Sequence, residues 1–434
     1  VLAGLGGYIY YDSKQPADSG TGQEKLFPQA KEDKIDEITV KSESGEVTTI
    51  KKADGTWKVT APVATGASPS DATNLAGALA GMEVTRVVDE NPANPAEYGL
   101  DAPRIQIDFK GQEQPEGHLF IGAKTPTGAA LYVRRNDEKK VLLIGAFNEP
   151  TLNRTTFDLR DKTFVGIPRA KVQSIEIVND GKPVVLTKKE KEWRVTTPVD
   201  ARADYSSSEA LIGRIESAQM KGIVGDSVPA ADLRQYGLDK PVVRLTLNFD
   251  GSPASVIEFG SEAGADAVYA REASKPAVVT VEKTLLDDFK KGVDDFRRRD
   301  VFDFRAFNAS RAELSWGGKS ITIERVKTEG DKPDIWKRVA PSEKELEKEK
   351  VETLLTGLAD IRATGFRAST AGTGLDKPAL TVYMKYDQSR QEERASFGQS
   401  GTDAFASRPD DAGAMVVEAD KLKEALATLD ELVK

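Results

Sequence analysis

The sequence predicts an α+β protein of three tandem related domains, each a mixed β-rich unit with two helices, after an N-terminal membrane helix and a tether. Three observations predict this fold: a repeated Gly-Leu-Asp-x-Pro motif, a tryptophan that recurs once per domain length, and an alternating apolar strand after each motif. We expect repeat domains at residues 33–160, 161–300 and 301–434, a membrane anchor at residues 1–14 and a flexible tether at residues 15–32.

The chain begins with VLAGLGGYIYY, which is apolar and uncharged. Eleven helical residues rise only about 16 Å against a hydrocarbon core of about 30 Å, so this piece alone cannot span a bilayer. Because residue 1 is not Met, we expect the numbering to start inside a longer hydrophobic segment, with Tyr8, Tyr10 and Tyr11 at the interface. A signal-peptide remnant and a buried N-terminal strand are the alternatives. The following stretch is rich in Pro, Ser, Gly and Gln, which favours a tether.

A tryptophan marks the same place in each domain. Trp57, Trp193 and Trp336 recur about 140 residues apart, and a proline lies five residues after each of them. Each tryptophan belongs to a β-rich stretch, and the ADG sequence at residues 53–55 predicts a hairpin turn just before the first. We therefore expect the three indoles in the core, with sugar-stacking platforms as the alternative.

The repeated motif predicts a joint between a helical turn and a strand. Gly99, Gly237 and Gly374 each stand where a helical turn ends, and a left-handed glycine is a common helix stop. The Asp before the Pro is biased towards an extended conformation, which starts the strand. This explanation leaves only the Asp side chain unassigned, as a local cap or a ligand. A second glycine follows in each copy, at positions 122, 260 and 398.

The remaining elements follow from local patterns. After each tryptophan we expect a helix, with capping boxes at Ser206 and Glu209 in the second copy and at Ser342 and Glu345 in the third. After each motif we expect four strands, which in the first copy are IQIDF, HLFIG, ALYVRR and VLLI. A closing helix ends each copy, and in the last copy it is ADKLKEALATLDELV.

Composition excludes several classes of protein. Hydrophobic residues at 39% and charged residues at 30% are typical of a globular chain. The net charge of -9 argues against nucleic acid or anionic lipid as the main partner, because both select basic surfaces. The basic run at residues 297–299 lies among acidic residues and predicts a solvated or salt-bridged helix end. Because Cys is absent, disulfides, thiolate metal sites and Cys nucleophiles are excluded.

The sequence identifies no catalytic, cofactor-binding or metal-ligating residue, and we expect no cofactor. The single histidine, His118, cannot supply a metal site alone and has no companion motif for a triad, so we expect a structural or surface role. The Gly-Lys-Ser sequence at residues 318–320 is not a phosphate loop, because Glu313 stands where that loop needs its first glycine. Gly317 and Gly318 instead predict a hairpin turn. No pair of carboxylates stands out as a glycosidase pair.

The chain resembles the bacterial domain of unknown function 4340 family. The resemblance lies in the YGLDxP motif, the LYVRR strand of residues 131–135, the inter-repeat stretches LRDKTFVGI and FRRRDVFDF, and the apolar N-terminus, and it covers nearly the whole chain. The third copy departs from the motif at Thr373, where the others have Tyr98 and Tyr236. The resemblance implies no functional residue, because the activity of the family is not established. It implies a context, since such proteins are often encoded beside subunits of gliding-type ABC transporters.

These observations lead to an expected function. We expect a non-catalytic accessory or scaffolding subunit of an ABC-type membrane transport assembly, single-pass in the inner membrane, with its body in the periplasm or cell exterior. The expected partners are integral membrane transporter subunits and not nucleic acid. The alternative is an envelope binding protein for cell-wall glycan or another ligand, and a hydrolase comes third. A repeated aromatic groove would favour the binder, and a broad apolar patch on one domain would favour the subunit.

Overall fold

The computed structural model describes residues 24–112, 114–328 and 333–433. The chain divides into two compact units, one ending at Lys162 and the other beginning at Thr163. The first unit contains one β-rich repeat and the second contains two. The predicted anchor and the first part of the predicted tether lie outside the described residues. None of the described helices is long and apolar enough to cross a membrane.

The first repeat is a nine-stranded sheet with one long helix and two short ones. Its strands are β1 (Ile35–Lys41), β2 (Val47–Ala53), β3 (Thr56–Ala61), β4 (Thr65–Gly66), β5 (Arg86–Asp89), β6 (Ile105–Gly111), β7 (Gln114–Lys124), β8 (Ala130–Arg135) and β9 (Val141–Gly145). Its helices are α1 (Pro69–Gly81), α2 (Glu149–Leu152) and α3 (Thr156–Leu159).

The second repeat has the same nine strands and long helix in the same order, with one closing helix where the first repeat has two short ones. Its strands are β10 (Val172–Asn179), β11 (Lys182–Lys189), β12 (Glu192–Thr197), β13 (Ala201–Arg202), β14 (Met220–Gly225), β15 (Val243–Phe249), β16 (Ser252–Glu262), β17 (Ala267–Glu272) and β18 (Val278–Glu282). Its helices are α4 (Tyr205–Glu216) and α5 (Lys283–Phe289).

The third repeat follows the same plan with a longer closing helix. Its strands are β19 (Ala309–Trp316), β20 (Lys319–Val326), β21 (Ile335–Ala340), β22 (Lys344–Leu346), β23 (Ala363–Arg367), β24 (Leu380–Tyr386), β25 (Gln391–Ser400), β26 (Asp403–Ser407) and β27 (Ala414–Val417). Its helices are α6 (Lys348–Ala359) and α7 (Ala419–Leu432).

One topology serves all three sheets. The strand order of the first is β4-β3-β2-β1-β6-β7-β8-β9-β5, and the other two sheets repeat that order. The chain runs outward through four antiparallel strands and continues through the long helix to a strand at the opposite edge. It then returns to the centre and meanders out again. The predictions of an α+β fold and of three tandem related units are confirmed.

The sheets share an irregularity as well as an order. The pairing of the first strand with the sixth shifts by one residue near its start in every repeat, between Ile35 and Glu37, between Val172 and Ser174, and between Ala309 and Arg311. Such a β-bulge bends the strand and increases its twist. The backbone of the three repeats is therefore alike in local detail as well as in overall order.

Each repeat has its own hydrophobic core between the sheet and the long helix. In the second repeat, alternate residues Val243, Leu245 and Leu247 of β15 are buried, as the period of two predicts. On α4, Leu211 and Ile215 are four residues apart and are buried on the same face. Burial of these faces supplies the main driving force for folding of each repeat.

The predicted joint at the motif is confirmed. Gly99, Gly237 and Gly374 have φ of 69°, 68° and 73°, in the left-handed region that favours glycine. The first two end 3₁₀ helices, Pro95–Tyr98 and Ala230–Tyr236, and the third lies within a turn.

The second glycine of each repeat has a steric role that the sequence analysis did not assign. A Cβ atom at position 122, 260 or 398 would lie closer than 3.0 Å to the carbonyl oxygen of the residue before the motif glycine. The strand that carries the second glycine can therefore pass directly under the joint only because both residues lack a side chain.

The predicted capping boxes are wrong in both later repeats. Helix α4 is capped by Asp204, whose carboxylate accepts a hydrogen bond from the amide of Ser207 at 2.7 Å. In the third repeat Glu345 belongs to β22, and α6 begins only at Lys348. In the third repeat β22 continues beyond the Trp-Pro landmark and the helix begins later than predicted, whereas in the second repeat β13 ends at Arg202 and the helix begins earlier.

Two further expectations need correction. Residues 24–32 were assigned to the tether, but Leu26 and Phe27 are buried in the core of the first repeat. For the run at residues 297–299, the salt-bridged alternative is confirmed at Arg298, which binds Asp303 at 2.6 Å. The solvated alternative is wrong at Arg297, which is buried, and the run follows a 3₁₀ turn, Val293–Asp295. Both stretches belong to the segment that leads into a repeat, where apolar and basic side chains are covered by the sheet that follows.

Candidate functional site

The three landmark tryptophans are core residues, as predicted. Trp57, Trp193 and Trp336 are at most 5% exposed. Each indole is covered by a cation from the neighbouring strand: the rings lie 5.8 Å from Lys52 Nζ, 5.4 Å from Lys188 Nζ and 4.9 Å from the Arg325 guanidinium carbon. Their rings are therefore not available as sugar-stacking platforms. The prolines that follow them, Pro62, Pro198 and Pro341, form cis peptide bonds.

The side chains of the motif divide into packed and exposed ones. The rings of Tyr98 and Tyr132 have their centroids 5.1 Å apart, and those of Tyr236 and Tyr269 have theirs 4.9 Å apart. In the third repeat Thr373 is buried and donates to the carbonyl oxygen of Thr370. The motif tyrosine therefore packs against a second tyrosine in the first two repeats, and the third repeat has Thr373 in its place. The motif aspartates are exposed in all three copies, at Asp101, Asp239 and Asp376.

A group of buried charges lies where the second and third repeats meet. We call it the junction network, and it consists of Arg202, Arg297, Glu393, Arg408 and Asp411. Buried charges are rare unless they are paired, because removing them from water is costly. The junction network is therefore the strongest candidate for a functional feature in the second unit.

Arg202 and Asp411 form its central contact. The backbone N–H of Arg202 donates to Asp411 Oδ1 at 2.6 Å, and Arg202 Nε donates to Asp411 Oδ2 at 2.9 Å. Arg202 Nη2 also donates to the carbonyl oxygen of Asp300 at 2.9 Å. The two side chains are only 7% and 4% exposed. Arg202, a strand residue of the second repeat, thereby binds both the loop of the third repeat that carries Asp411 and the segment that joins the two repeats.

Glu393 and Arg408 hold the joining segment from the other side. Glu393 accepts hydrogen bonds from the amides of Asp303 and Phe304, at 3.0 and 2.8 Å, and from Arg408 Nη1 at 2.6 Å. Arg408 also donates to the carbonyl oxygen of Val301 at 2.8 Å. Its Nε and Nη2 bind the two carboxylate oxygens of Asp410 at 2.9 and 3.1 Å, which is the strong bidentate form of this pair.

The electrostatics of Arg408 and Asp410 agree with this geometry. Burial alone would lower the pKa of Arg408, but Asp410 and Glu393 raise that pKa above its usual value. Burial alone would raise the pKa of the Asp410 carboxyl, but the bond to Arg408 lowers it below its usual value. Each member of the pair therefore favours the charged form of the other.

Arg297 completes the network through packing. Its guanidinium lies 4.0 Å from the centroid of the Phe366 ring, and Nη2 donates to the carbonyl oxygen of Ala412 at 3.0 Å. Burial lowers the pKa of Arg297, although Asp294 and Asp411 oppose the shift. The loop that accepts this contact turns at Gly413, where φ is 81° and a Cβ atom would overlap the backbone of Arg367. A glycine is required for the close approach.

The geometry of the junction network suits a structural role, which is to fix two repeats and their linker in one arrangement. Its carboxylates are occupied by arginines and backbone N–H groups, which is the pattern of a structural tie. Buried ion pairs add little net stability over apolar packing, but breaking one leaves an uncompensated charge. Such a network therefore favours a single arrangement of the repeats over loosely joined ones.

The first repeat has a counterpart of Arg408. Arg135 occupies the equivalent position on β8, and its Nη1 donates to the carbonyl oxygen of Leu26 at 2.8 Å. Its Nε binds Glu138 at 2.7 Å. In both repeats an arginine thus clamps the segment that leads into the sheet. The second repeat has Glu272 at this position, which pairs with Lys275.

A cleft of about 410 Å³ lies beside Arg135 in the first repeat. Its apolar wall includes Phe27 and Phe109, and its polar rim includes Glu138, one of whose carboxylate oxygens is buried without a hydrogen-bond partner among the described residues. Arg135 binds the carbonyl oxygen of Leu26 as Arg408 binds that of Val301, so Gln29, three residues after Leu26, corresponds to the buried Phe304 of the third repeat. The side chain that lines the cleft in the first repeat, Gln29, is therefore replaced by a phenylalanine in the third.

Other residues weighed in the sequence stand apart from these features. His118 lies on the surface, where its Nδ1 is 2.6 Å from Asp108 Oδ1. Gly317 and Gly318 form the predicted hairpin turn between β19 and β20. Within residues 24–112, 114–328 and 333–433, no three His, Asp or Glu side chains are grouped closely enough to hold a metal ion.

Sequence reasoning did not find Arg202, Glu393, Arg408 or Asp411. Two stretches that carry the family resemblance contain related residues: LYVRR contains Arg135, and FRRRDVFDF contains Arg297. Neither stretch indicated what these arginines bind. The contacts that join the second repeat and the linker to the third repeat connect residues far apart in the chain: Asp303 and Glu393 are 90 residues apart, and Arg202 and Asp411 are 209 apart. No local pattern reports pairs at such distances.

Comparison with known proteins identifies a family. The model of a family described as "Domain of unknown function (DUF4340)" matches residues 57–192 and 193–378. Both matches begin at a landmark tryptophan; the first ends where the second begins, at Trp193, and the second continues past Trp336 to the third motif. Searches among curated proteins and among solved structures found no match.

Proposed function

Because the chain belongs to the family described as Domain of unknown function (DUF4340), we propose that it is a non-catalytic accessory or scaffolding subunit of an ABC-type membrane transport assembly. In this proposal the chain is anchored by a single N-terminal helix in the inner membrane, and its body lies in the periplasm or cell exterior. Its partners are integral membrane subunits of the transporter.

The observation that supports this proposal best is the junction network. A protein that holds partners at a fixed spacing needs domains that do not move freely against each other. Interfaces between domains of one chain usually permit relative motion unless they are large and apolar. Here buried ion pairs tie the second repeat to the third, with Arg202 and Asp411 at the centre. That arrangement suits a spacer better than it suits a pair of domains that close on a ligand.

The charge balance and the apolar N-terminus agree with this role. The chain carries a net charge of -9, which does not favour adsorption to an anionic membrane surface. An uncharged apolar stretch followed by polar residues supplies attachment without such a surface. The transport context comes from the family resemblance described above.

The proposal is tested by purifying the tagged chain from native membranes in mild detergent and identifying what remains bound. The matched control is the chain beginning at residue 24, which keeps the described fold and lacks the apolar stretch. We expect transporter subunits to be recovered with the full chain and to be lost or strongly reduced with the control. Recovery of the full chain as a free soluble protein, or useful turnover of a glycan, peptide or nucleotide, would contradict the proposal.

The second candidate is an envelope binding protein, and the cleft of the first repeat favours it. Its volume of about 410 Å³ lies in the range typical of small-molecule sites, and apolar walls with a few polar groups are typical of them too. The buried tryptophans weigh against glycan stacking. A ligand screen by thermal shift, with Gln29→Phe as the variant that fills the cleft, separates this candidate from the first.

A further inference from the structure

A second cleft of the first repeat lies beside the repeated motif. Its volume is about 360 Å³, which is within the range of small-molecule sites. Leu100 of the motif and Val141 of β9 contribute apolar surface to it, and both residues are otherwise buried. The lining shares only Glu138 with the cleft beside Arg135. The two clefts are therefore different candidate sites.

The second repeat fills the equivalent space with a hydrophobic cluster. There the leucine of the motif and the first residue of β18 pack with the buried Leu233. Leu233 lies four residues before the motif glycine, and the exposed Pro95 holds that position in the first repeat. The first repeat therefore keeps open a space that the second repeat closes with an apolar side chain.

Arg134 lines this cleft, and its guanidinium has no carboxylate partner. It lies opposite Phe120 in the sheet, with the guanidinium carbon 4.4 Å from the centroid of that ring. The equivalent residues of the second repeat are Arg271 and Glu258, which form a salt bridge at 2.7 Å. Among the residues that the structure describes, Arg134 makes no hydrogen bond or ion pair. An arginine stacked on a ring keeps its N–H groups available for a carboxylate.

Asp101, the aspartate of the motif, supplies the opposite charge in the same cleft. Its carboxylate is exposed and has no hydrogen bond or ion pair within residues 24–112, 114–328 and 333–433. Arg134 and Asp101 line one cleft without pairing with each other. Two opposite charges that flank an apolar surface match the two charged groups of a zwitterion with an apolar body.

The other charged groups around the cleft leave this pattern in place. One oxygen of Glu138 accepts from Arg135 at 2.7 Å, and the other is buried. Lys139 is exposed and has no ion pair in the described part of the chain. Glu90 and Lys140, which adjoin lining residues in the sequence, pair with each other at 2.9 Å. The charges of the lining that remain unpaired are therefore two cations and one exposed carboxylate.

We propose that this cleft binds an α-amino acid with an apolar side chain. Arg134 donates paired hydrogen bonds to the carboxylate, and Asp101 accepts a hydrogen bond from the ammonium group. Leu100 and Val141 contact the apolar side chain. The inference goes beyond the proposed function, because it assigns a ligand site to the first repeat and involves no partner protein.

Isothermal titration calorimetry of the full chain with L-leucine is the direct test. Two analogues keep the same carbon skeleton: leucinamide has no carboxylate, and isocaproate has no ammonium group. We expect saturable binding of leucine, with leucinamide weaker by about tenfold or more and isocaproate weaker by about three- to tenfold. The smaller second effect follows from the exposure of Asp101. No binding at millimolar leucine, or equal binding of leucine and either analogue, would overturn the proposal.

A pair of substitutions at Phe120 tests the role of Arg134 without removing it. Phe120→Glu supplies the carboxylate that Glu258 provides to Arg271 in the second repeat, so it should weaken leucine binding about tenfold or more. Phe120→Gln has the same shape without the charge and is the matched control. We expect it to lose less affinity, because only the stacking contact with Arg134 is removed. Equal affinity of the two variants would show that Arg134 does not bind the ligand.

Two further variants locate the ammonium group and the cleft. Asp101→Asn should weaken leucine binding about three- to tenfold and leave isocaproate binding unchanged, because isocaproate has no ammonium group. Gln29→Phe fills the cleft beside Arg135 and should leave leucine binding unchanged. Each variant is compared with the unmodified chain below its thermal unfolding transition, so that unfolding does not imitate lost binding. A loss of leucine binding in Gln29→Phe, or an equal loss for leucine and isocaproate in Asp101→Asn, would overturn the assignment.

Discussion

Gly260 lies against Gly237: a Cβ atom on Gly260 would be 3.2 Å from the carbonyl carbon of Gly237 and closer still to the carbonyl oxygen of Tyr236. The two glycines are 23 residues apart, and the same pair occurs in the other repeats. One of them turns the chain and the other lets a strand pass beneath that turn. The motif glycine and the strand glycine therefore depend on each other for packing.

The first prediction separates these two roles. Gly260→Ala introduces a clash with backbone at an ordinary φ, so we expect it to destabilise the second repeat by about 1–3 kcal/mol or more. Gly251→Ala is the control: its φ is 64°, but no atom lies within 4 Å of the added Cβ, so only the conformational cost of about 1 kcal/mol applies. Urea unfolding of the two variants measures both. A smaller effect for Gly260→Ala than for Gly251→Ala would contradict the packing explanation.

The joint shows what local pattern can predict and what it cannot. The left-handed conformation of Gly237 follows from its neighbours in sequence, because a helical stop before Asp-x-Pro needs a residue with positive φ. The requirement at Gly260 follows from a strand that arrives from elsewhere in the fold. The same distinction applies to the helix caps: Asp204 is the cap because β13 ends beside it, and the sequence pattern at Ser206 gave no sign of that pairing.

The second prediction concerns Trp193. Its ring is buried, and its Nε1 donates to Glu209 Oε1 at 3.0 Å. Trp193→Ala should cost about 3–5 kcal/mol of unfolding free energy, and Trp193→Phe should cost clearly less because most of the packing remains. Trp316→Phe, which changes another buried indole in the third repeat, is a control for effects outside the second repeat. Hydrogen exchange resolved by repeat would show whether the loss is local. A uniform loss in both repeats would contradict the assignment of separate cores.

The third prediction concerns the pair of Arg202 and Asp411. Removing one partner leaves a buried charge, so Asp411→Ala should cost about 3–5 kcal/mol. Asp411→Asn keeps an oxygen that can accept from the backbone N–H of Arg202, and it should cost less. A double-mutant cycle with Arg202→Ala measures the coupling energy, which we expect to exceed about 1 kcal/mol. Additive effects of the two single variants would show that the pair does not tie the repeats together.

The junction could not have been derived from the sequence. Arg297 was correctly noted as part of a basic run, but its burial depends on Phe366 and on the loop at Ala412, which lie 69 and 115 residues further on. The acidic neighbours of the run made a solvated or salt-bridged helix end the simplest interpretation. The sheet order could be anticipated only in part, because the alternation of Ile105, Ile107 and Phe109 predicts a strand but does not name its neighbours.

The fourth prediction uses Tyr386, which faces the junction. Burial raises its pKa to about 12, and the charges of Glu393 and Asp303 contribute to the shift while Arg408 opposes it. The folded state therefore keeps the phenol neutral where the unfolded chain, with an ordinary value near 10, ionises. This contribution to stability is complete below about pH 10 and is lost as the pH rises towards about 12.

Tyr386→Phe tests that sign. The unfolding free energy of the variant, relative to the unmodified chain, should rise between about pH 10 and about pH 12 and stay constant between about pH 7 and about pH 9. Tyr205→Phe, at an exposed tyrosine, is the matched control. If the two variants showed the same pH profile, the environment of Tyr386 would not be the cause.

The last prediction concerns the boundary between the N-terminal stretch and the first repeat. Residues 15–32 read as a tether because Pro, Ser, Gly and Gln dominate there, but Leu26 and Phe27 are the two apolar residues on which the boundary depends. The amide of Leu26 donates to Met82 at 2.7 Å, and the Phe27 ring meets Phe109 edge-on with centroids 4.9 Å apart. A fragment of residues 31–434 lacks both side chains, so its first repeat should be less stable than that of residues 24–434 by at least about 3 kcal/mol. The variant Leu26→Ala in the longer fragment should fall between them. Denaturation of the three proteins under one set of conditions provides the measurement. Equal stability of the two fragments would support a tether over all of residues 15–32.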